Sequence, residues 1–212
     1  MKKFFTLLFS LAILSYSAQS TKQIFEAPNL KELAQAHKMV AILPFETRIT
    51  YKKLPKNYNE ETNKEQEKTM AKNIQSSMYT FLLRKNKNYT VSFQDIEKTN
   101  TLLKKAGMLS HLDDFTKDEI AKALGVDAVL GGKFETIQTR SEAGAIVTTV
   151  LFGGLGSKTG SGTLTLLLNN ANDGEMIWRF AKSMDDDIFS STDVLIERMM
   201  RKVSRNFPYE KS

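Results

Sequence analysis

The glycine-rich stretch Val150 to Leu166, VLFGGLGSKTGSGTLTL, contains five glycines and a Lys-Thr pair, residue types that could cradle a phosphate. A phosphate-binding loop of the G-x-x-x-x-G-K-[ST] type needs a glycine before the lysine, another five positions earlier, and a helix after the loop. The residues at the two glycine positions before Lys158 are Ser157 and Phe152. The alternation of threonine and leucine after the loop predicts a strand. We therefore expect no nucleotide site in this stretch.

Other enzyme motifs are also missing from the sequence. The dinucleotide pattern G-x-G-x-x-G stops at Thr159, which stands where a third glycine should follow Gly154 and Gly156. The nucleophile motif G-x-S-x-G does not occur, and no local pattern assembles a serine, a histidine and an acid. The sequence predicts a non-enzymatic protein without a cofactor, and an unrecognised hydrolase is retained as an alternative.

The residues that could bind a metal are few and badly spaced. His37 lies beside a predicted helix end and His111 lies in a loop, with no H-x-H or H-x-x-x-H spacing and no cysteine in the chain. The acidic run Asp185 to Asp187 lacks the glycine and the spaced oxygen ligands of a calcium loop. We expect no metal site.

An uncharged apolar run, Ala143 to Gly156, overlaps the start of the glycine-rich stretch. It is too short to span a membrane as a helix but long enough for a membrane-crossing strand of roughly 9–11 residues. Three interpretations remain open: a buried core segment, an apolar surface for self-association or a partner, and a membrane-contacting hairpin. The candidate contact residues are Ile146, Val147, Val150, Leu151 and Phe152.

The N-terminus has the layout of a secretory signal peptide. Lys2 and Lys3 precede the apolar run Phe4 to Leu14, and small residues then offer cleavage after Ala18 or Ser20. The apolar run is shorter than the roughly 20 residues that a membrane-spanning helix needs. Because the chain has no cysteine, it has no lipidation site at the cleavage point. We predict a periplasmic or secreted, non-lipidated protein.

The charge balance gives little support for nucleic acid binding. The net charge is +6, and removal of Lys2 and Lys3 with the signal peptide lowers it to +4. The basic clusters are short and lack interleaved aromatic residues, a pattern typical of solvated helix faces. We expect envelope proteins or a second copy as partners, possible membrane contact, and neither nucleic acid nor nucleotide.

The first half of the chain predicts helices between short strands. A short helix covers Asn29 to Lys38, a strand covers Met39 to Glu46, and another strand covers Tyr89 to Phe93. Between the strands, residues 57–85 predict one long amphipathic helix with its acidic residues at the start. Its apolar stripe consists of Met70, Ala71, Ile74, Met78, Phe81 and Leu82.

Two further helices carry their own start and stop signals. Asp95 is the expected N-cap of the first, and Gly107 ends it. Thr116 is the expected N-cap of the second, and Gly125 ends it. The chain thus alternates between strand and helix up to this point.

The last third predicts a strand, a hairpin and a helix. Residues 126–140 indicate a strand, and residues 161–182 indicate two strands joined by Asn-Ala-Asn-Asp-Gly. We place Trp178 against the core and Ile177 on the opposite face of its strand. Residues 190–207 predict a closing amphipathic helix.

These elements predict a single α/β domain in which helices pack against a mixed sheet. We divide the chain into a signal peptide at residues 1–20, an N-terminal segment with a short helix at 21–38, and the α/β domain at 39–208. The domain carries an apolar, glycine-rich insertion at residues 143–162.

Three stretches carry a resemblance to a known family. In order they are VAILPF, EIAKALGVDAVLGGKF and LTLLLNNANDGEMIWRF, and the match spans roughly residues 38–208. Together they resemble the envelope domain shared by the curli-secretion channel family, the N-terminal domain of TolB, and lipoprotein activators of penicillin-binding proteins. The residues that carry this fold signature are Pro44, Gly125, Asp127, Gly174 and Trp178.

The resemblance implies an anticodon-binding-like envelope domain that docks partners or assembles without catalysis. The chain departs from that family in lacking a lipidated cysteine and a second apolar membrane hairpin. We therefore expect a protein-interaction or assembly module of the bacterial cell envelope. A membrane-associated oligomer that contributes the hairpin Ala143 to Gly156 to a secretion-type pore is the alternative.

Overall fold

A mixed sheet of seven strands runs through the computed structural model, which describes residues 22–138, 160–184 and 192–211. The strands are β1 Lys22–Glu26, β2 Met39–Ile42, β3 Glu46–Tyr51, β4 Ser92–Phe93, β5 Ala128–Gln138, β6 Gly160–Asn170 and β7 Met176–Met184. The helices of the described residues are α1 Leu30–Ala36, α2 Glu60–Arg84, α3 Ile96–Lys105, α4 Lys117–Leu124 and α5 Thr192–Val203. The predicted α/β class, with a mixed sheet packed by helices, is confirmed.

The eleven-residue strand β5 lies at the centre of the sheet. The strand order is β1-β7-β6-β5-β2-β4, and β3 pairs with the same edge of β5 as β2 does. In the run β1-β7-β6-β5 each strand is antiparallel to its neighbour, whereas β2 and β3 run parallel to β5. One edge of β5 therefore holds two short strands in succession.

We predicted one strand from Met39 to Glu46, and its predicted C-terminal boundary is wrong. The chain leaves the sheet after Ile42 and returns to it as β3. Pro44, which has no backbone N–H to give to a ladder, lies in this break. Gly132 of β5 faces the break, and a Cβ there would lie 2.6 Å from the Phe45 ring and would collide with the backbone oxygen of Thr165 in β6. Glycine at this position lets Phe45 pack directly on the sheet.

Helix α2 covers one face of the sheet with the predicted stripe. Asn59 caps it by accepting from the backbone N–H of Thr62. Five residues of the stripe are buried and Ala71, at its margin, is half-buried; the buried ones are Met70, Ile74, Met78, Phe81 and Leu82. Gln75 is also buried and donates to the carbonyl of Ile42 at 2.8 Å. Helix α5 packs on the same face, through the fully buried Met200 and Val203.

Helices α3 and α4 pack on the opposite face, against β2 and the start of β5. Their predicted caps are confirmed: Asp95 accepts from the N–H of Lys98 at 3.0 Å, and Thr116 forms a capping box with Glu119. Gly125 ends α4 in the left-handed region at a φ of 64°. The strand expected from residue 89 to 93 shortens to β4.

The β6–β7 hairpin is confirmed, with an irregularity that we did not predict. The pairing shifts register at Leu168 and Asn169, where β7 has one extra residue. The expected placement of Ile177 opposite Trp178 is therefore wrong, since both side chains are buried in one core cluster. In the turn, Gly174 has a φ of 74°, a region that favours glycine.

Several predictions fall on residues outside the described ranges. They concern the signal peptide at 1–20, the insertion with Ile146, Val147, Val150, Leu151 and Phe152, and the acidic run at 185–187. These remain predictions. None of the helices in the described ranges is long and apolar enough to cross a membrane.

Candidate functional site

Residues of the predicted fold signature lie where secondary-structure elements meet or in the core. The Asp127 carboxylate accepts from the backbone N–H groups of Lys38 and Met39, at 2.8 Å each, and so ties the start of β2 to β5. Gly174 packs so closely on the start of α4 that a Cβ would lie 2.9 Å from Asp118 Oδ1. Trp178 is fully buried. These residues connect secondary-structure elements or fill the core, and they are not grouped as a catalytic centre.

A buried polar joint, which the sequence did not reveal, links the end of α1 to the hairpin and to the last residues of the chain. His37 Nδ1 lies 2.7 Å from the Tyr209 hydroxyl, and His37 Nε2 lies 3.2 Å from Asn170 Oδ1. Asn170 in turn donates to Asp173 Oδ1 at 2.9 Å. A neutral imidazole with its proton on Nε2 satisfies both of its bonds. We call these four residues the polar joint.

The polar joint has the residue types of a catalytic centre but the geometry of a structural one. His37, Asn170 and Tyr209 are all buried, and each bonds to another member of the joint. Within the described residues, no group of three or more His, Asp or Glu side chains is placed to hold a metal ion. The sequence placed His37 correctly at a helix end. Its partners lie 133 and 172 residues away in the chain, beyond the reach of local patterns.

Two buried tyrosines predict a loss of stability at high pH. Burial raises the pKa of Tyr89 to about 12, and burial together with the Asp127 carboxylate raises the pKa of Tyr209 further. Unfolded tyrosines ionise at about 10, so the unfolded state loses these protons first as pH rises. The contribution of these two tyrosines to the free energy of unfolding is therefore fully present below a pH of about 10 and is lost as the pH rises above it. Urea unfolding followed across this range checks the prediction, and a midpoint that does not fall contradicts it.

The sheet also has an open face, on the side opposite α2 and α5. Beyond the area covered by α3 and α4, charged side chains on this side contact one another: Lys133 lies 3.1 Å from its cross-strand neighbour Glu46 and 3.4 Å from Glu135 of its own strand. Most of its side chains are exposed or half-exposed. This open sheet face comprises Gln23, Phe25, Lys133, Glu135, Ile137, Thr163, Thr165, Leu167, Arg179, Ala181 and Ser183.

Strand β1 forms the edge at which the open sheet face ends. It pairs only with β7 among the described strands, and all five of its side chains are exposed. Ile24 is 37% exposed and Phe25 is 44% exposed. An exposed edge strand with apolar side chains is a template for pairing with another chain. This strand was not predicted: KQIFE is only five residues long and lies in the region 21–38, for which the sequence predicted only a short helix.

The other sheet edges are covered or short. At β3, the backbone N–H of Ile49 donates to Glu67 Oε1 at 2.7 Å, and the hydroxyl of Thr47 donates to the Glu67 carbonyl, so α2 occupies that edge. Strand β4 is two residues long. Among the described strands, β1 is therefore the edge best suited to bind an extended segment.

No protein-family model matches the sequence, and no curated protein sequence matches it significantly. Similar solved structures include the PelC dodecamer from Paraburkholderia phytofirmans, at 12% identity and a TM-score of 0.39, covering 91% of this chain and 100% of that one. Lipoprotein GNA1162 from Neisseria meningitidis has 12% identity and a TM-score of 0.44, with 79% and 94% covered. The LpoB C-terminal domain from Salmonella enterica has 14% identity and a TM-score of 0.35, with 74% and 93% covered.

One of these three solved structures is described as a lipoprotein. Their TM-scores lie below 0.5 and their identities do not exceed 14%, so they carry nothing about a partner or an activity of this chain.

Proposed function

We propose that this chain is a non-enzymatic protein-interaction or assembly module of the bacterial cell envelope, and that β1 with the adjoining open sheet face binds its protein partner. The observation that carries the proposal is the coincidence of a free backbone edge with two exposed apolar side chains, Ile24 and Phe25, on one five-residue strand. Strand addition at such an edge combines backbone hydrogen bonds with side-chain contacts.

Two features of the sequence support the envelope part of the proposal. The layout of residues 1–20 is that of an export signal, and cleavage after Ala18 or Ser20 would leave β1 intact, since it starts at Lys22. The absence of cysteine suits an exported protein that needs no reduced thiol. The contact role of the insertion at 143–156 remains a separate prediction.

Site-specific photo-crosslinking tests the proposed surface. A photoreactive amino acid at Phe25 is expected to yield one discrete adduct with a protein in intact cells, because Phe25 lies beside the free edge. The matched control is the same amino acid at Leu83, which is 52% exposed and belongs to α2 rather than to β1. Mass spectrometry identifies the protein in the adduct. Equal crosslinking at both positions, or none at Phe25, would contradict the proposal.

A further inference from the structure

We propose that the partner at this edge is a second copy of the chain, and that the two β1 strands pair antiparallel with Ile24 opposite Ile24. The inference rests on the proposed function and names the partner of the same surface. The paired strands would join two seven-stranded sheets into one continuous sheet. Backbone direction, charge and side-chain pattern each support this register.

The backbone direction of β1 determines which residues are able to pair outward. The N–H of Ala27 donates to the Ile177 carbonyl of β7 at 2.9 Å, and the register between the strands is regular from Lys22 to Glu26. In an antiparallel ladder, hydrogen-bonded residues alternate with residues whose N–H and C=O point away from the partner. The backbone groups of Lys22, Ile24 and Glu26 therefore point to the free edge. A register centred on Ile24 pairs these three residues with one another.

Charge complementarity selects the same register. With Ile24 at the centre, Lys22 of each copy lies opposite Glu26 of the other, so the dimer gains two oppositely charged cross-strand pairs. A register centred on Gln23 would place Lys22 opposite Ile24, and one centred on Phe25 would place Glu26 opposite Ile24. Both alternatives set a charged side chain against an apolar one.

A group of like charges beside the edge also favours an acidic partner residue. Lys22 is the cross-strand neighbour of Lys182. Burial lowers the pKa of Lys182, and the nearby Lys202 and Lys22 ammonium groups lower it further. The Glu26 carboxylate of a second copy, arriving opposite Lys22, would reduce this repulsion. The single chain offers Lys22 no salt-bridge partner among the described residues.

Charge reversal tests the register. Sedimentation of the purified protein over a dilution series is expected to show a monomer–dimer equilibrium. Lys22→Glu and Glu26→Lys each replace two attractive pairs by two repulsive ones, so each is expected to weaken dimerisation roughly tenfold or more. The double variant Lys22→Glu/Glu26→Lys restores both pairs and should dimerise within a few-fold of wild type. Circular dichroism verifies that all three remain folded.

Mixing the two single variants gives the sharpest result. A Lys22→Glu copy and a Glu26→Lys copy regain both attractive pairs only with each other, so the mixture should form a heterodimer although neither variant dimerises well alone. Unequal tags on the two variants identify the mixed species. A mixture that stays monomeric would overturn the register.

Disulfide trapping provides an independent measurement, because the chain has no cysteine of its own. In a hydrogen-bonded antiparallel pair the two Cα atoms lie about 5.5 Å apart, a distance that a disulfide spans. Ile24→Cys should therefore give a covalent dimer under mild oxidation, and the control Leu83→Cys should not. A wild-type protein that is monomeric throughout the dilution series, together with no trapping at Ile24→Cys, overturns self-pairing. If the Phe25 adduct then contains a different protein, the proposed function stands and only the identity of the partner is wrong.

Discussion

Replacing Trp178 with alanine is expected to lower the free energy of unfolding by about 3–5 kcal/mol. The Trp178 side chain is fully buried, stacks on Phe180 with ring centroids 6.1 Å apart, and meets Phe207 edge-on at 5.7 Å. Truncation removes this contact area and leaves a cavity between the hairpin and the residues that follow α5. Because Trp178 is the single tryptophan, urea unfolding has to be followed by circular dichroism rather than by tryptophan fluorescence.

The matched variant Trp178→Phe keeps the aromatic packing and is expected to cost less than about half as much. The indole Nε1 of Trp178 is buried without a hydrogen-bond partner among the described residues. Phenylalanine removes this unsatisfied donor, which offsets part of the lost contact area. An alanine variant as stable as wild type would show that the hairpin contributes little to the core.

Local patterns in the sequence were sufficient for the helices and for the hairpin. The stripe of α2 is an i, i+4 pattern that a single helix must bury on one face, and this face is buried in the structure. The caps at Asp95 and Thr116 and the left-handed Gly125 depend on residues within one turn, so they too were predictable. Elements whose signals are local in the chain were therefore placed correctly.

Features that depend on distant residues were not predictable in this way. Strand β3 exists because β5 is long enough to pair with two successive strands, which no pattern within residues 46–51 indicates. The extra residue in β7 buries Ile177 against the expected alternation. The partners of His37 lie at the end of β6 and after α5, so only the complete fold brings them together.

The proposed binding surface at β1 also depends on distant residues. Residues 22–26 hold too few residues for a clear period, and their exposure follows from the position of β1 at the end of the strand order rather than from their own types. The sequence predicted envelope proteins or a second copy as partners, but it did not indicate β1 as the surface that binds them. Among the described strands, β1 is the exposed edge because α2 occupies the edge at β3, a contact that local sequence patterns do not indicate.

The polar joint carries the second large expected effect. Tyr209→Ala is expected to lower the free energy of unfolding by at least about 4 kcal/mol, because it removes a fully buried aromatic ring and leaves the buried His37 Nδ1 without its partner. The Tyr209 backbone also accepts from the N–H of Thr90 at 2.9 Å, so the residue anchors the last segment of the chain beside β4. Thermal and urea unfolding measure the loss.

Two conservative variants separate the ring from the hydroxyl. Tyr209→Phe keeps the ring and should cost about 1–3 kcal/mol, the penalty of leaving the buried His37 nitrogen unsatisfied. The control Tyr58→Phe removes a hydroxyl from a residue that is 39% exposed and should change stability by less than about 0.5 kcal/mol. If Tyr209→Phe behaved like Tyr58→Phe, the 2.7 Å contact with His37 would not stabilise the fold.

The two large effects should not add, because they meet at one ring. Phe207 contacts Trp178 at 5.7 Å and Tyr209 at 5.6 Å between ring centroids. Each alanine variant loosens Phe207, so the second truncation finds contacts that the first has already weakened. The double variant, if it folds sufficiently to be measured, should lose less stability than the sum of the single losses. Strict additivity would mean that the hairpin and the polar joint stabilise the domain independently. It would contradict a role for the Phe207 contacts in coupling them.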